Sequence, residues 1–301
     1  MNLSEEIRDG FVVTEERKRI WKSQLEMLAE LKRVCDKHNI CFFAVAGTML
    51  GAVRHKGYIP WDDDVDLALR REDYNKLLEV GPQEIQYPFF FQTALTEEDY
   101  YSPLVRIRDS RTTAIIRSGS HDDWGRRCNN GIYLDIFPLD GYIENSFLRR
   151  IQFIEIRGIN MIMRERVYEE KGKLGSSIRH RILKRAVNKK MLERLYRRYN
   201  VVCSRYSYKT EKVALLAGSV YNKAYYWDYE DIHETVYVPF EDTEIPIPKG
   251  YDKCLKVQYG DYMKLPPIEK RGAHHSEAVI FNPYMNYKEY QRTHSKNGED
   301  Q

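Results

Sequence analysis

The 301-residue chain is 42% hydrophobic, 13% aromatic and 31% charged, a globular composition that excludes a disordered or collagen-like polymer. Five cysteines without a CxxC exclude a disulfide framework and argue against structural zinc, so reduced thiols in a cytoplasmic protein are expected. The net charge of +3 hides an asymmetry: residues 141–200 hold 16 Lys/Arg against 6 Glu and no Asp, which is +10 and leaves −7 for the rest.

Met1 leads into acidic NLSEE, so no secretory signal is expected. Residues 14–38 read as an amphipathic helix with Thr14 as N-cap and Asn39 as its end. CFFAVA (41–46) predicts a buried strand, broken by Gly47-Thr48 before one or two helical turns. The largely apolar uncharged stretch over residues 40–53 has 14 residues and is too short to span a bilayer. A second strand is expected at roughly 63–70, then a helix over 72–80 stopped by Gly81-Pro82. YPFFFQT, LVRIRD, TTAIIR and IYLDIF are strand candidates, and 143–206 is mostly helical. VYVPFEDTEIPIP reads as a hairpin and YDKCLKVQYG as a short helix. The order predicts an α/β (α+β) fold: a mixed sheet flanked by helices, with the basic helices appended.

The densest chemistry is Pro60-Trp61-Asp62-Asp63-Asp64-Val65-Asp66. In an extended chain Asp62, Asp64 and Asp66 share one face, while Val65 and Leu67 turn to the core. Such clustered carboxylates are tolerable if a divalent cation neutralises them, and oxygen-only ligands favour Mg²⁺ or Mn²⁺. A solvated acidic turn or a helix N-terminus is the alternative. Upstream, a strand ending in Gly47-Thr48 and opening a helix can present N–H groups to an anion. Arg54, His55 and Lys56 follow as cationic donors for phosphate, or as a solvated helix end.

The stretch AGTMLGAVRHKGYIPWDDDVD resembles the signature of the LicD family, phosphotransferases of the nucleotidyltransferase-like superfamily related to fukutin-type proteins. GIYLDIFPLD (131–140) is similar to the family's third-carboxylate segment, and YGDYMKLPPIEKRGAHH (259–275) to its C-terminal block. The resemblance implies a nucleotidyltransferase-like core in which Asp64 and Asp66 are the metal-binding pair and Asp135 the third carboxylate. Asp62 shares the metal face, and Asp63 points toward the core or caps a loop. Gly47 and Thr48 form the phosphate turn, and Arg54, His55, Arg271 and His274 contact the donor. The implied reaction moves phosphocholine, or a related phospho-alditol, from a CDP-linked donor to a sugar hydroxyl of a cell-surface glycan or teichoic-acid precursor. Asp135 is the candidate general base. Nucleotidyl transfer to a sugar or small molecule is the alternative. A choline head group would need an aromatic cage, for which Tyr221, Tyr225, Tyr226, Trp227 and Tyr229 are one candidate.

The expected organisation is a catalytic core over 14–140, a basic helical insertion over 141–210 and a part over 211–285 that completes the site. For the basic helices at 176–199 three readings stand: a solvated face, contact with an anionic membrane at its inner face where the acceptor is lipid-linked, or nucleic-acid binding. The last lacks a reader motif, so no nucleic-acid partner is expected.

Overall fold

The computed structural model describes residues 1–98, 100–118, 121–167, 176–209, 211–217, 226–272 and 279–295. In chain order the elements are strands β1 (Glu6–Arg8) and β2 (Phe11–Val13), helix α1 (Glu15–His38), β3 (Phe42–Ala44), α2 (Ala46–Arg54), β4 (Asp66–Arg70), α3 (Arg71–Glu84), β5 (Phe89–Gln92), β6 (Val105–Asp109), β7 (Thr113–Ser118), β8 (His121–Asp122) and β9 (Ile132–Gly141). Then come α4 (Ser146–Val167), α5 (Ser176–Ala186), α6 (Lys189–Cys203), β10 (Lys212–Ala214), β11 (Tyr226–Asp228), α7 (Tyr229–Ile232), the hairpin β12 (Thr235–Phe240) and β13 (Thr243–Pro248), α8 (Tyr251–Tyr259), a 3₁₀ turn (Ile268–Lys270), β14 (Val279–Asn282) and α9 (Tyr287–Ser295). The result is the mixed α/β sheet flanked by helices that the element order predicts.

The main sheet is built around β9, the longest strand. β4 lies parallel along one edge of it and β6 antiparallel along the other, since both pair with Asp135 and Ile136. β3 continues the sheet beyond β4, β5 beyond β6, and β10 with β11 joins at the end of β9. Leu67, Ala68, Leu69, Ile107, Leu134 and Ile136 are fully buried in this sheet.

α1 begins and ends at the capping residues: Thr14 accepts the Arg17 N–H, and Asn39 takes the left-handed conformation at φ 51°. α3 runs past Gly81-Pro82 for a further turn, contrary to expectation. A Cβ on Gly81 would stand 2.4 Å from the Phe91 ring, so this glycine lets α3 approach β5 rather than ending it. The helical pattern over 176–199 divides into two helices, because the Asn188 side chain accepts the Met191 N–H and caps a new one.

A second apolar cluster lies among the basic helices, through Ile156, Met163, Val187, Leu192, Tyr196 and Tyr199, and reaches Tyr101 and Leu104 beside β6. Arg71 bridges it to the sheet. Its Nε and Nη2 donate to Asp140 at 2.7 and 2.6 Å, and its Nη1 to Asn200 of α6 at 2.9 Å. All five cysteines are free thiols, and only Cys41 is exposed.

Candidate active site

Burial alternates through the acidic segment. Asp62, Asp64 and Asp66 are half-buried, whereas Asp63, Val65 and Leu67 are buried. The alternation is the one expected, and Asp63 is the carboxylate that turns inward. The regular strand starts only at Asp66; residues 62–65 are an extended lead-in, opened by a turn in which the Asp62 N–H donates to Ile59 O at 2.9 Å. α1 holds this lead-in by its carbonyls. Arg17 Nη1 and Trp21 Nε1 donate to Asp62 O at 2.8 and 3.1 Å, and Gln24 Nε2 to Asp63 O at 2.8 Å. These donors stand at i, i+4 and i+7, one face of the helix. Burial pushes the Arg17 pKa below its ordinary value, against the pull of Asp63 and Asp62.

Across the sheet the same level reads Arg106 on β6, Asp135 on β9 and Asp66 on β4, all in register. Register partners present their side chains on one face. Arg106 Nε and Nη2 donate to Asp135 Oδ1 and Oδ2 at 2.6 and 3.3 Å. Burial opposes the charge on Arg106, yet the adjacent carboxylate outweighs it and holds the guanidinium pKa above its ordinary value. Below the pair, Tyr133 carries Arg106 and Arg108 over its ring at 4.3 and 4.9 Å. Burial pushes the Tyr133 hydroxyl pKa up. Arg108 is fully buried and donates to Gln92 Oε1 at 2.6 Å and Gly131 O at 2.8 Å.

The glycine turn meets the acidic lead-in directly. A Cβ on Gly47 would stand 2.7 Å from Asp62 Oδ2, so only glycine lets that carboxylate rest on the first turn of α2. Ala46, just before it, is held at φ 49°, a strained conformation for a residue with a Cβ. Thr48 is buried, and its hydroxyl accepts the Asp66 N–H at 2.8 Å. It ties β4 to α2.

A cavity of about 410 Å³ opens over this junction, lined by Gly47, Arg54, Trp61 and Asp62 on one side and Tyr259, Tyr262, Lys264 and Lys270 on the other. Arg54 reaches its wall and donates from Nη1 to Tyr262 O at 2.8 Å; burial lowers its pKa from the ordinary value. His55 is not in that wall. Its Nε2 accepts from Arg54 Nε at 3.0 Å, and its Nδ1 lies 3.1 Å from Asp9 Oδ2. Burial, then the adjacent Arg54, depress its pKa, so it orients Arg54 as a neutral ring instead of offering a charge to phosphate. Arg271 lies over the Trp61 ring at 5.4 Å and donates to Pro266 O and Asp9 O at 2.7 and 2.6 Å, which packs the C-terminal block against the site. His274 lies outside the described residues.

The acidic donor set is all oxygen and half-exposed, which suits a hard cation such as Mg²⁺ or Mn²⁺. Among the described residues, however, no three His, Cys, Asp or Glu side chains are gathered tightly enough to hold an ion, and Asp135 faces Arg106. Of the aromatic-cage candidates, Tyr226 stacks on Tyr142 at 4.8 Å, Trp227 is buried and Tyr229 stacks on His233 at 5.2 Å, while Tyr221 and Tyr225 lie outside the described residues.

Sequence reasoning missed Arg106, Arg108 and the Arg17-Trp21-Gln24 grip. Two arginines alternating with apolar residues in VRIRD were the available signal for the first two. For the third it was a polar, cationic start to an otherwise apolar helix face.

The model of the LicD/FKTN/FKRP nucleotidyltransferase domain matches residues 39–157, from the start of β3 into α4. Over that segment, less than half of its length, the chain is similar to a LicD-family domain. The lipopolysaccharide cholinephosphotransferase LicD of Haemophilus influenzae is 27% identical over 273 residues, covering 85% of this chain and 95% of the relative. An uncharacterised protein of Rickettsia prowazekii is 39% identical over 61 residues, which is 20% of this chain and 23% of that one, and one of Rickettsia typhi is 38% identical over 61 residues, 20% of each. The matched segment thus contains the acidic run, the glycine turn, Arg106 and Asp135, while Tyr259, Lys264 and Lys270 come to the cavity from beyond it.

Proposed function

We propose that this protein is a phosphotransferase that moves phosphocholine, or a related phospho-alcohol, from a CDP-linked donor to a sugar hydroxyl of a lipopolysaccharide or similar surface glycan. The observation that carries the reading is the in-register pair Asp66–Asp135, tied through Thr48 to a glycine turn whose Gly47 lines a cavity together with Arg54 and two lysines. The relative that covers nearly the whole chain is named for choline phosphate transfer to lipopolysaccharide, which supports the choice of head group and acceptor.

In this reading the donor diphosphate lies against the start of α2, with Arg54, Lys264 and Lys270 balancing its charge. The acceptor hydroxyl attacks the phosphorus that carries the choline, its proton passes to Asp135, and CMP leaves with the bonding pair. Arg106 fixes the Asp135 carboxylate by two hydrogen bonds. Since no three of these carboxylates converge as the side chains stand, Mg²⁺ or Mn²⁺ would be held by one or two of Asp64, Asp66 and Asp135, with water completing its shell and Asp62 at the margin. A bound ion would supply positive charge to the attacked phosphoryl group and the departing oxygen.

Thermal shifts with CDP-choline, CDP-glycerol, CDP-ribitol and nucleoside triphosphates, each with and without Mg²⁺, test the donor side. A Mg²⁺-dependent rise with one CDP-alcohol above that with CTP is expected. Equal stabilisation by triphosphates would instead indicate nucleotidyl transfer.

A further inference from the structure

The outward face of α4 is apolar. Its inner face runs through Gln152, Ile156, Asn160, Met163 and Val167, all buried. The Tyr101 hydroxyl donates to Asn160 at 2.6 Å and ties that face to the core. On the opposite side Phe147, Ile151, Ile154 and Met161 follow at i, i+4, i+7 and i+14, each between 43% and 70% exposed. Gly158 fills the i+11 position, where a Cβ would meet nothing within 4 Å. A surface helix ordinarily gives this side to polar groups, and a continuous exposed apolar stripe marks a contact surface. Arg150 and Arg157 border it, both exposed. The neighbouring α5 exposes Ile178 and Ile182 among Arg179, Arg181, Lys184 and Arg185.

We propose that this face docks on an anionic phospholipid bilayer, with α4 lying in the plane of the interface. Its apolar stripe enters the headgroup boundary and its arginines meet lipid phosphates. The charge distribution selects this occupant. Residues 141–200 carry +10 on a chain that is otherwise −7. A second copy would bring the same positive charge against itself, and a nucleic acid would leave the apolar stripe uncovered. Among the described residues no helix is long and apolar enough to cross a membrane, so the contact is with one face. The structure also moves the contact from 176–199 to α4 and α5, because Leu192, Tyr196 and Tyr199 of α6 are buried in the second core cluster. The proposal is independent of the reaction assigned above.

Co-sedimentation of the full chain with vesicles tests it. Wild type is expected to bind vesicles of mixed phosphatidylglycerol and phosphatidylcholine at least tenfold more tightly than phosphatidylcholine alone, and less tightly as salt is raised. The pairs Phe147→Ser/Ile154→Ser and Arg150→Glu/Arg157→Glu are each expected to lower that binding tenfold or more with circular dichroism unchanged. Ile7→Ser, an exposed apolar residue of β1, leaves it unaltered. Absence of vesicle binding, or α4 variants that bind like wild type, would overturn the proposal. So would self-association in vesicle-free buffer that Phe147→Ser/Ile154→Ser abolishes, since the stripe would then be covered by a second copy.

Discussion

Asp66 and Asp135 stand opposite each other on adjacent parallel strands, and Arg106 stands opposite Asp135 on its other side. Two carboxylates side by side repel, and the Arg106 guanidinium offsets the charge of Asp135. In the proposed reaction a cation held beside Asp66 and Asp64 would lower this repulsion and let a phosphate approach.

Asp64→Asn and Asp66→Asn preserve shape and remove charge from half-exposed positions. Each is expected to lower transfer by about 10³-fold or more while leaving stability within about 1 kcal/mol of wild type. Steady-state rates with urea denaturation of the same samples check both halves of the prediction.

The Arg71–Asp140 pair is bidentate and nearly fully buried. Asp140→Asn would leave the guanidinium without its counter-charge, at an expected cost of about 3–5 kcal/mol. Because Arg71 also holds Asn200, hydrogen exchange in α6 is expected to accelerate in this variant more than in α1. Uniform acceleration would show that Arg71 does not couple the helices to the sheet.

His55 has its pKa pushed below the ordinary 6.5 by burial and then by Arg54. The folded chain therefore takes up this proton less readily than the unfolded chain. The contribution of the neutral ring is complete above about pH 7 and shrinks as pH falls through 6.5 toward the lower folded value. The stability difference between wild type and His55→Asn is expected to narrow from pH 7 to pH 5 in urea titrations. A constant difference would contradict the neutral, Arg54-orienting role.

Burial pushes the Cys35 and Cys254 thiols up to about 12, and Cys128 and Cys203 are raised by the same cause. Only Cys41 is exposed. A thiol titration of the native protein is expected to show one fast-reacting group, and five after denaturation in the absence of reductant.

Much of this was legible in the sequence because it is written locally. Thr14 and Asn39 cap α1 at the expected residues, and the alternation of Asp62, Asp64 and Asp66 with Asp63, Val65 and Leu67 needs only the geometry of an extended chain. The LicD-like signature brought Gly47 and the acidic run together, and the structure adds that they touch through Asp62. What was not legible depends on register. Arg106 is 29 residues from Asp135 in sequence, and nothing short of strand pairing places it there. Thr48 and His55 fit a ligand-binding pattern by type, but tertiary contacts with Asp66 and with Arg54 and Asp9 gave them supporting positions. The break between α5 and α6 was signalled by Asn188, a capping residue lost among the basic side chains.

Mass spectrometry of a glycan acceptor incubated with the protein, CDP-choline and Mg²⁺ tests the central claim most directly. The account predicts that the acceptor gains phosphocholine with release of CMP, and that Asp66→Asn forms product about 10³-fold more slowly or not at all, so that transfer at the wild-type rate in that variant counts as persistence. An acceptor that gains the nucleotide instead, or transfer that persists in Asp66→Asn, would contradict it.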